Sequence, residues 1–148
     1  RSGATMTMED WDLEFKPNLD WNHAWATAPA NIAFRDILGI MPTAPAYGVF
    51  LVCPQIGELK HVSGHTTTLR GVIRESITVT EKKIRLTIEV PANSIADISL
   101  ANITADFKSR DIRQAKVNGK DVPIDRLTSF EASYTVGSGK HVIELICR

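Results

Sequence analysis

The chain has little of what marks several large functional classes. Its 148 residues hold only two cysteines, Cys53 and Cys147, too few for the disulfide framework of a small secreted domain. Each lies in an apolar, strand-like run, Val49 to Cys53 and Val142 to Cys147, so two buried thiols are expected. Neither sign of charge is in excess, because 17 Lys and Arg balance 17 Asp and Glu without a basic cluster. Such a surface offers no footprint for nucleic acid or an anionic membrane. No apolar run approaches the roughly 18 residues of a bilayer-spanning helix. Tryptophan is missing from residues 46–148, and the aromatics there (Tyr47, Phe50, Phe107, Phe130, Tyr134) are scattered. A sugar platform in that later part would need clustered rings.

What is present suits a globular protein: 43% apolar and 23% charged residues, in a chain long enough to bury a real core. The pattern changes once along it. From Asp20 to Leu38 it is helical, with Trp25, Ala28, Ile32, Ala33 and Ile37 on one stripe. Pro29 would kink a helix begun at Asn22, so a first turn over 22–27 and a firm helix over 29–38 are expected. Gly39 suits the left-handed residue that ends a helix, and Pro42 and Pro45 prevent its resumption. Trp25, on the stripe, is expected in the core. One amphipathic helix cannot bury its own apolar face. It needs the following domain, a second copy or a missing domain, and self-association through that face is expected.

From Ala46 onward the period is that of strands. Glu75 to Thr80 and Lys83 to Val90 alternate polar with apolar residues. The stretches Lys60 to Ser63 and Thr66 to Ile73 are Thr-rich and extended, and Ile95 to Leu100 and Ala115 to Val117 are weaker strands. Hairpins are expected across Glu81-Lys82, across Asn118-Gly119, which is the strongest turn signal, and across Gly137-Ser138-Gly139. Many short strands with frequent turns predict a mainly β fold, an antiparallel β-sandwich of jelly-roll type, preceded by a short helical segment. The boundary is expected near Thr43 to Tyr47, giving parts 1–45 and 46–148.

The chemistry concentrates in the first twenty-five residues, which hold Trp11, Trp21 and Trp25, the pair Glu9-Asp10, and His23. Flat rings cover the apolar face of a pyranose, carboxylates and imidazole take its hydroxyls, and a carboxylate can move a proton. Taken bare, Glu9 is more often a solvated loop charge and His23 a surface or capping group. His61 and His65 have the spacing of helical metal ligands, but Ser63-Gly64 and the Thr run argue against a helix. No metal site and no cofactor are expected. Asn102-Ile103-Thr104 is a glycosylation sequon that matters only in a eukaryotic secretory pathway.

A resemblance sharpens this. The run Gly3-Ala-Thr-Met-Thr-Met-Glu9-Asp-Trp11, followed by Asn22-His-Ala-Trp-Ala-Thr-Ala-Pro29, resembles the end of the catalytic domain of bacterial α-L-rhamnosidases, glycoside hydrolase family 78. Leu38 to Gly48 and Pro54 to Lys60 continue it. The resemblance implies the end of an (α/α)6 barrel over 1–45 and an all-β C-terminal domain over 46–148. It implies that Glu9 is the general base, that His23 contacts rhamnose and that Trp11 shapes the pocket wall. The general acid would lie upstream of Arg1, so the chain reads as the tail of a longer inverting enzyme, inert alone. Any targeting segment would also lie upstream, which leaves periplasmic, extracellular and cytoplasmic locations open. The expected ligand of the whole enzyme is a rhamnoside or rhamnose-containing oligosaccharide. The competing readings are a carbohydrate-binding module and a purely structural β-sandwich.

Overall fold

The computed structural model describes residues 6–10, 14–106 and 111–148; Trp11 lies outside them. The chain divides into two compact units, Arg1–Ala33 and Phe34–Arg148. The expected boundary at Thr43 to Tyr47 marks a change in sequence period, whereas this division follows packing.

In the first unit an irregular segment is clamped at both ends. The His23 N–H donates to the Thr7 carbonyl at 2.7 Å, and the Glu9 N–H donates to the Asp20 carbonyl at 3.0 Å. A 3-10 turn follows over Ala24–Thr27, then helix α1 over Ala28–Ile32. Pro29 sits in its first turn, where a missing N–H breaks no helical bond. The backbone over Ala33–Ile37 takes the wider π winding. Trp25 corrects one expectation: it is 84% exposed, not core. The 3-10 turn winds at about 3.0 residues per turn, so a stripe counted at 3.6 does not carry from Trp25 into α1. Its ring instead lies against His23, with centroids 5.9 Å apart.

The second unit is a two-sheet β-sandwich. Its strands are β1 (Ile40–Pro42), β2 (Val49–Val52), β3 (His61–Thr68), β4 (Gly71–Val79), β5 (Lys83–Val90), β6 (Ile95–Ile98), β7 (Ile112–Val117), β8 (Lys120–Val122), β9 (Tyr134–Val136) and β10 (Gly139–Cys147). One sheet runs β1-β2-β6-β9 and the other β3-β4-β5-β10-β7-β8. Short helices α2 (Ala101–Asp106) and α3 (Asp125–Thr128) lie in the connections. They are joined where the Leu100 N–H donates to the Leu127 carbonyl at 2.7 Å.

Period-two alternation builds the core. On β4 and β5, Ile73, Ile77, Ile84, Leu86 and Ile88 point inward while Arg74, Thr78, Arg85 and Glu89 face water. They join Phe50, Val52 and Ile98 of the other sheet in one cluster. Each fully buried aliphatic or aromatic side chain contributes about 1.5–3 kcal/mol. The outer-face pairs Arg74–Glu89 and Arg85–Glu144, at 3.6 and 3.3 Å, are half in solvent and add at most about 1 kcal/mol each.

The hairpins expected at Glu81-Lys82 and Asn118-Gly119 form. Asn118 and Gly119 have φ of 52° and 79°, the left-handed pair that two-residue hairpin turns require. The hairpin expected across Gly137 to Gly139 does not form. β9 pairs with β6 in one sheet, while β10 lies between β5 and β7 in the other. β9 instead takes the edge of β6, where Val136 is buried and the Thr135 hydroxyl donates to Asp97 Oδ1 at 2.6 Å, and the glycines carry the chain between sheets. The extended run expected over Thr66 to Ile73 is broken by a turn at Leu69-Arg70. There the Thr68 hydroxyl accepts from the Arg70 N–H at 3.1 Å and donates to the Gly71 carbonyl at 2.8 Å. Local hydroxyl bonding of this kind competes with a continuous ladder. One pair, β2 with β6, runs parallel. The long intervening excursion through β3, β4 and β5 permits that direction.

Cys147 is buried and Cys53 half-buried, both as free thiols. Gly39 ends the helical stretch with φ of 68°, and its carbonyl accepts from the Cys53 N–H at 3.0 Å. A Cβ there would come within 2.1 Å of the Cys53 carbonyl carbon, so glycine alone fits. One inward position is not apolar. Glu75 on β4 is 3% exposed, and neither carboxylate oxygen has a hydrogen-bond partner among the described residues. Burial pushes its pKa well above the ordinary carboxylate value.

Candidate functional site

The first unit brings two of the three expected site residues into one cluster. Glu9 precedes the bend, and its carboxylate is engaged at both oxygens. Oε1 takes the ammonium of Lys16, and Oε2 accepts from the Asp20 N–H at 3.1 Å. The Lys16 hydrogen bond, followed by that backbone bond, holds the Glu9 pKa below its ordinary value. The group is therefore an anion at neutral pH.

His23 follows on the same loop. Its Nδ1 lies 3.5 Å from Asp20 Oδ2, and its carbonyl accepts from the Thr7 hydroxyl at 2.8 Å. Asp20 thus touches Glu9 through its main chain and His23 through its side chain. Trp11, the third expected residue, lies outside the described residues. Trp21 is exposed and Asp10 half-buried.

A cavity of about 580 Å³ opens beside the cluster, lined by Met6, Thr7, Met8, Glu9, Asp10, Ala26 and Pro29. Its size falls in the range of small-molecule sites. Apolar methionine and proline surfaces line it along with two carboxylates, the mixture a sugar ring needs. A shallower groove of about 680 Å³ lies in the second unit, walled by Pro42, Pro45, Tyr47 and Leu69 among others. Its lining offers neither carboxylate nor imidazole.

Glu9, Asp20 and His23 also bring one donor atom each to within 4.8 Å of one another, a spacing that could hold a cation. Lys16 already supplies a positive charge at Glu9. His61 and His65 point to the exposed side of β3, as the alternation predicts, and His61 Nδ1 lies 3.2 Å from the Thr78 hydroxyl.

Lys16 and Asp20 are the site members that the residue pattern does not announce. Lys16 is seven positions from Glu9, on no common period. The available signal is Pro17: its fixed φ favours a turn, and the Leu19 N–H closes that turn on the Lys16 carbonyl at 3.1 Å.

Comparison with known proteins finds one matching domain family and several similar folds. The family described as the bacterial alpha-L-rhamnosidase C-terminal domain matches residues 39–114. An α-L-rhamnosidase structure from Dictyoglumus thermophilum is similar at TM-score 0.66 and 19% identity, over 86% of this chain and 14% of that one. The Streptomyces avermitilis α-L-rhamnosidase, solved in complex with L-rhamnose, is similar at TM-score 0.67 and 21% identity, over 96% of this chain and 14% of that one. An α-L-rhamnosidase from Aspergillus terreus is similar at TM-score 0.60 and 21% identity, over 95% of this chain and 14% of that one. At these identities the likeness is one of fold, and the chain spans 14% of the length of each of these structures. No curated protein matches it in sequence.

Proposed function

The chain belongs to the bacterial α-L-rhamnosidase C-terminal domain family, and from that premise we propose that it is the C-terminal part of an inverting α-L-rhamnosidase. Residues 1–45 complete the catalytic helical barrel, and residues 46–148 form its all-β domain. The substrate is a rhamnoside or rhamnose-containing oligosaccharide, and the reaction proceeds through two carboxylates without a metal.

In this reading Glu9 is the general base. Inversion requires an ionised carboxylate that deprotonates a water on the ring face opposite the leaving group. A protonated acid sits about 6.5–9.5 Å away to leave room for that water. The observation that carries the assignment is the state of Glu9: an anion, held at both oxygens, on the wall of the 580 Å³ cavity. A carboxylate has about four acceptor sites, so two bonds leave lone pairs for a water. The water's proton goes to Glu9, its oxygen bonds the anomeric carbon, and the glycosidic oxygen leaves with a proton from the acid. The acid comes from the rest of the barrel, so this chain alone is inactive. His23, which can donate to and accept from hydroxyls, holds the sugar, and Trp11 shapes the wall. The β-sandwich is structural.

The test is turnover of an aryl α-L-rhamnoside by the whole enzyme carrying this chain. Glu9→Gln keeps the shape but not the charge, and is expected to cost on the order of 10²–10⁴ in kcat. Near-normal turnover would remove Glu9 from the chemistry.

A further inference from the structure

We propose that Lys16 is a positioning residue for this reaction: its ammonium, paired with Glu9 Oε1, fixes the orientation and the charge of the base. The proposal rests on the reading of Glu9 as the base, although its first test does not depend on that reading.

The geometry sets Lys16 apart from a solvated surface lysine. Its side chain is 37% exposed and reaches Glu9 from a turn that Pro17 and the Leu19-to-Lys16 bond hold in place. The second oxygen of Glu9 is held by the Asp20 N–H, and the backbone of Glu9 by the Asp20 carbonyl. Two contacts from one loop thus restrain the carboxylate, and a third restrains its backbone. Among the described residues, only the bonds to Asp20 remain without Lys16, and these do not hold Oε1.

The charged groups facing Glu9 are Lys16, His23 and Asp20, with Asp10 next to it in the chain. Loss of solvent is what opposes the Glu9 anion. Lys16 is the fixed cation among its neighbours, since His23 is charged only when protonated. Lys16 therefore offsets that loss of solvent and keeps the base ready in acid. An ammonium is a point charge on a flexible stem, so arginine at this position should preserve the effect and an apolar chain should not.

The experiment is a carbon-13 NMR titration of the Glu9 carboxyl in the 148-residue chain, as wild type, Lys16→Met and Lys16→Arg. The Glu9 midpoint is expected to move up in Lys16→Met and to stay low in Lys16→Arg, with amide signals of 40–148 unchanged in both. In the wild type, the Lys16 Cε signal should step at the Glu9 midpoint, a readout that survives even if Lys16→Met fails to fold. An unmoved Glu9 midpoint in Lys16→Met, or a flat Lys16 signal through the Glu9 titration, overturns the proposal. In the whole enzyme the acid limb of kcat/KM should move up in Lys16→Met while the alkaline limb stays. That limb reports the base in the free enzyme. A fully active Glu9→Gln sinks the base assignment and leaves the titration result standing. An inactive Glu9→Gln with an unmoved midpoint in Lys16→Met sinks the role of Lys16 alone.

Discussion

Asp20 and Glu9 are paired reciprocally. The Asp20 N–H donates to Glu9 Oε2 at 3.1 Å, and the Glu9 N–H donates to the Asp20 carbonyl at 3.0 Å. Because the Asp20 carboxylate also reaches His23 Nδ1 at 3.5 Å, Glu9 and the imidazole hang on one residue. His23→Ala in the whole enzyme is expected to lower kcat/KM by about tenfold, the worth of one hydrogen bond. On the proposed roles, with the imidazole holding substrate and transferring no proton, the loss should appear mainly in KM. A pure kcat effect would contradict that division of labour.

Glu75 gives the fold an unusual pH dependence. Its folded pKa is raised by burial, so the folded state binds a proton that the unfolded state releases above about 4.3. The resulting penalty is absent below that pH. It grows as pH rises toward the folded value and is constant beyond it. Thermal melts should therefore show stability falling from mildly acidic toward alkaline pH. Glu75→Met, an apolar chain of similar length, should abolish that slope and stabilise the protein at pH 8 by about 1–3 kcal/mol. A less stable Glu75→Met at pH 8 would show that the carboxylate has a partner there.

Gly39→Ala should be among the costliest single-methyl changes in the chain. The left-handed φ alone costs about 1–2 kcal/mol, and the added carbon would meet the Cys53 backbone at 2.1 Å. Backbone cannot swing aside as a side chain can. Urea denaturation is expected to show a loss above about 2 kcal/mol; a loss under 0.5 kcal/mol would mean that the turn repacks freely.

Much of the β-sandwich is legible in the sequence because its signals are local. Alternation places Ile73, Ile77, Ile84, Leu86 and Ile88 inward, and Asn118-Gly119 can close only one kind of turn. The path from β9 to β10 is not legible, because Gly137-Ser138-Gly139 suits a hairpin and a sheet-to-sheet crossing equally. Only the partner that β9 finds on β6, far away in the chain, decides between them. Glu75 was hidden by the same alternation that revealed its neighbours, since a charge in an inward register defies the pattern. In the site, the resemblance to the rhamnosidase motif singles out Glu9 and His23, which residue type alone leaves as ordinary loop groups. Lys16 and Asp20 escape, because loop geometry, which has no period, brings them in.

The first unit leaves an apolar surface without cover. Phe15, Trp21, Trp25 and Ile32 are all exposed, and α1 spans only five residues, too short to stand alone. The chain expressed alone is expected to self-associate, with mass rising with concentration in light scattering. The double substitution Trp25→Ser and Ile32→Ser should weaken it. A strictly monomeric wild-type chain would contradict this expectation.

The most direct test of Glu9 as water's activator replaces the water. Glu9→Ala in the whole enzyme removes the base and leaves space beside the anomeric carbon. Azide, a nucleophile with no proton to lose, can then attack where a neutral water cannot. The account predicts that Glu9→Ala is inactive in buffer, that added azide restores turnover of an aryl α-L-rhamnoside, and that the product is the β-configured rhamnosyl azide. Azide that fails to restore turnover, or a product of retained configuration, would contradict it.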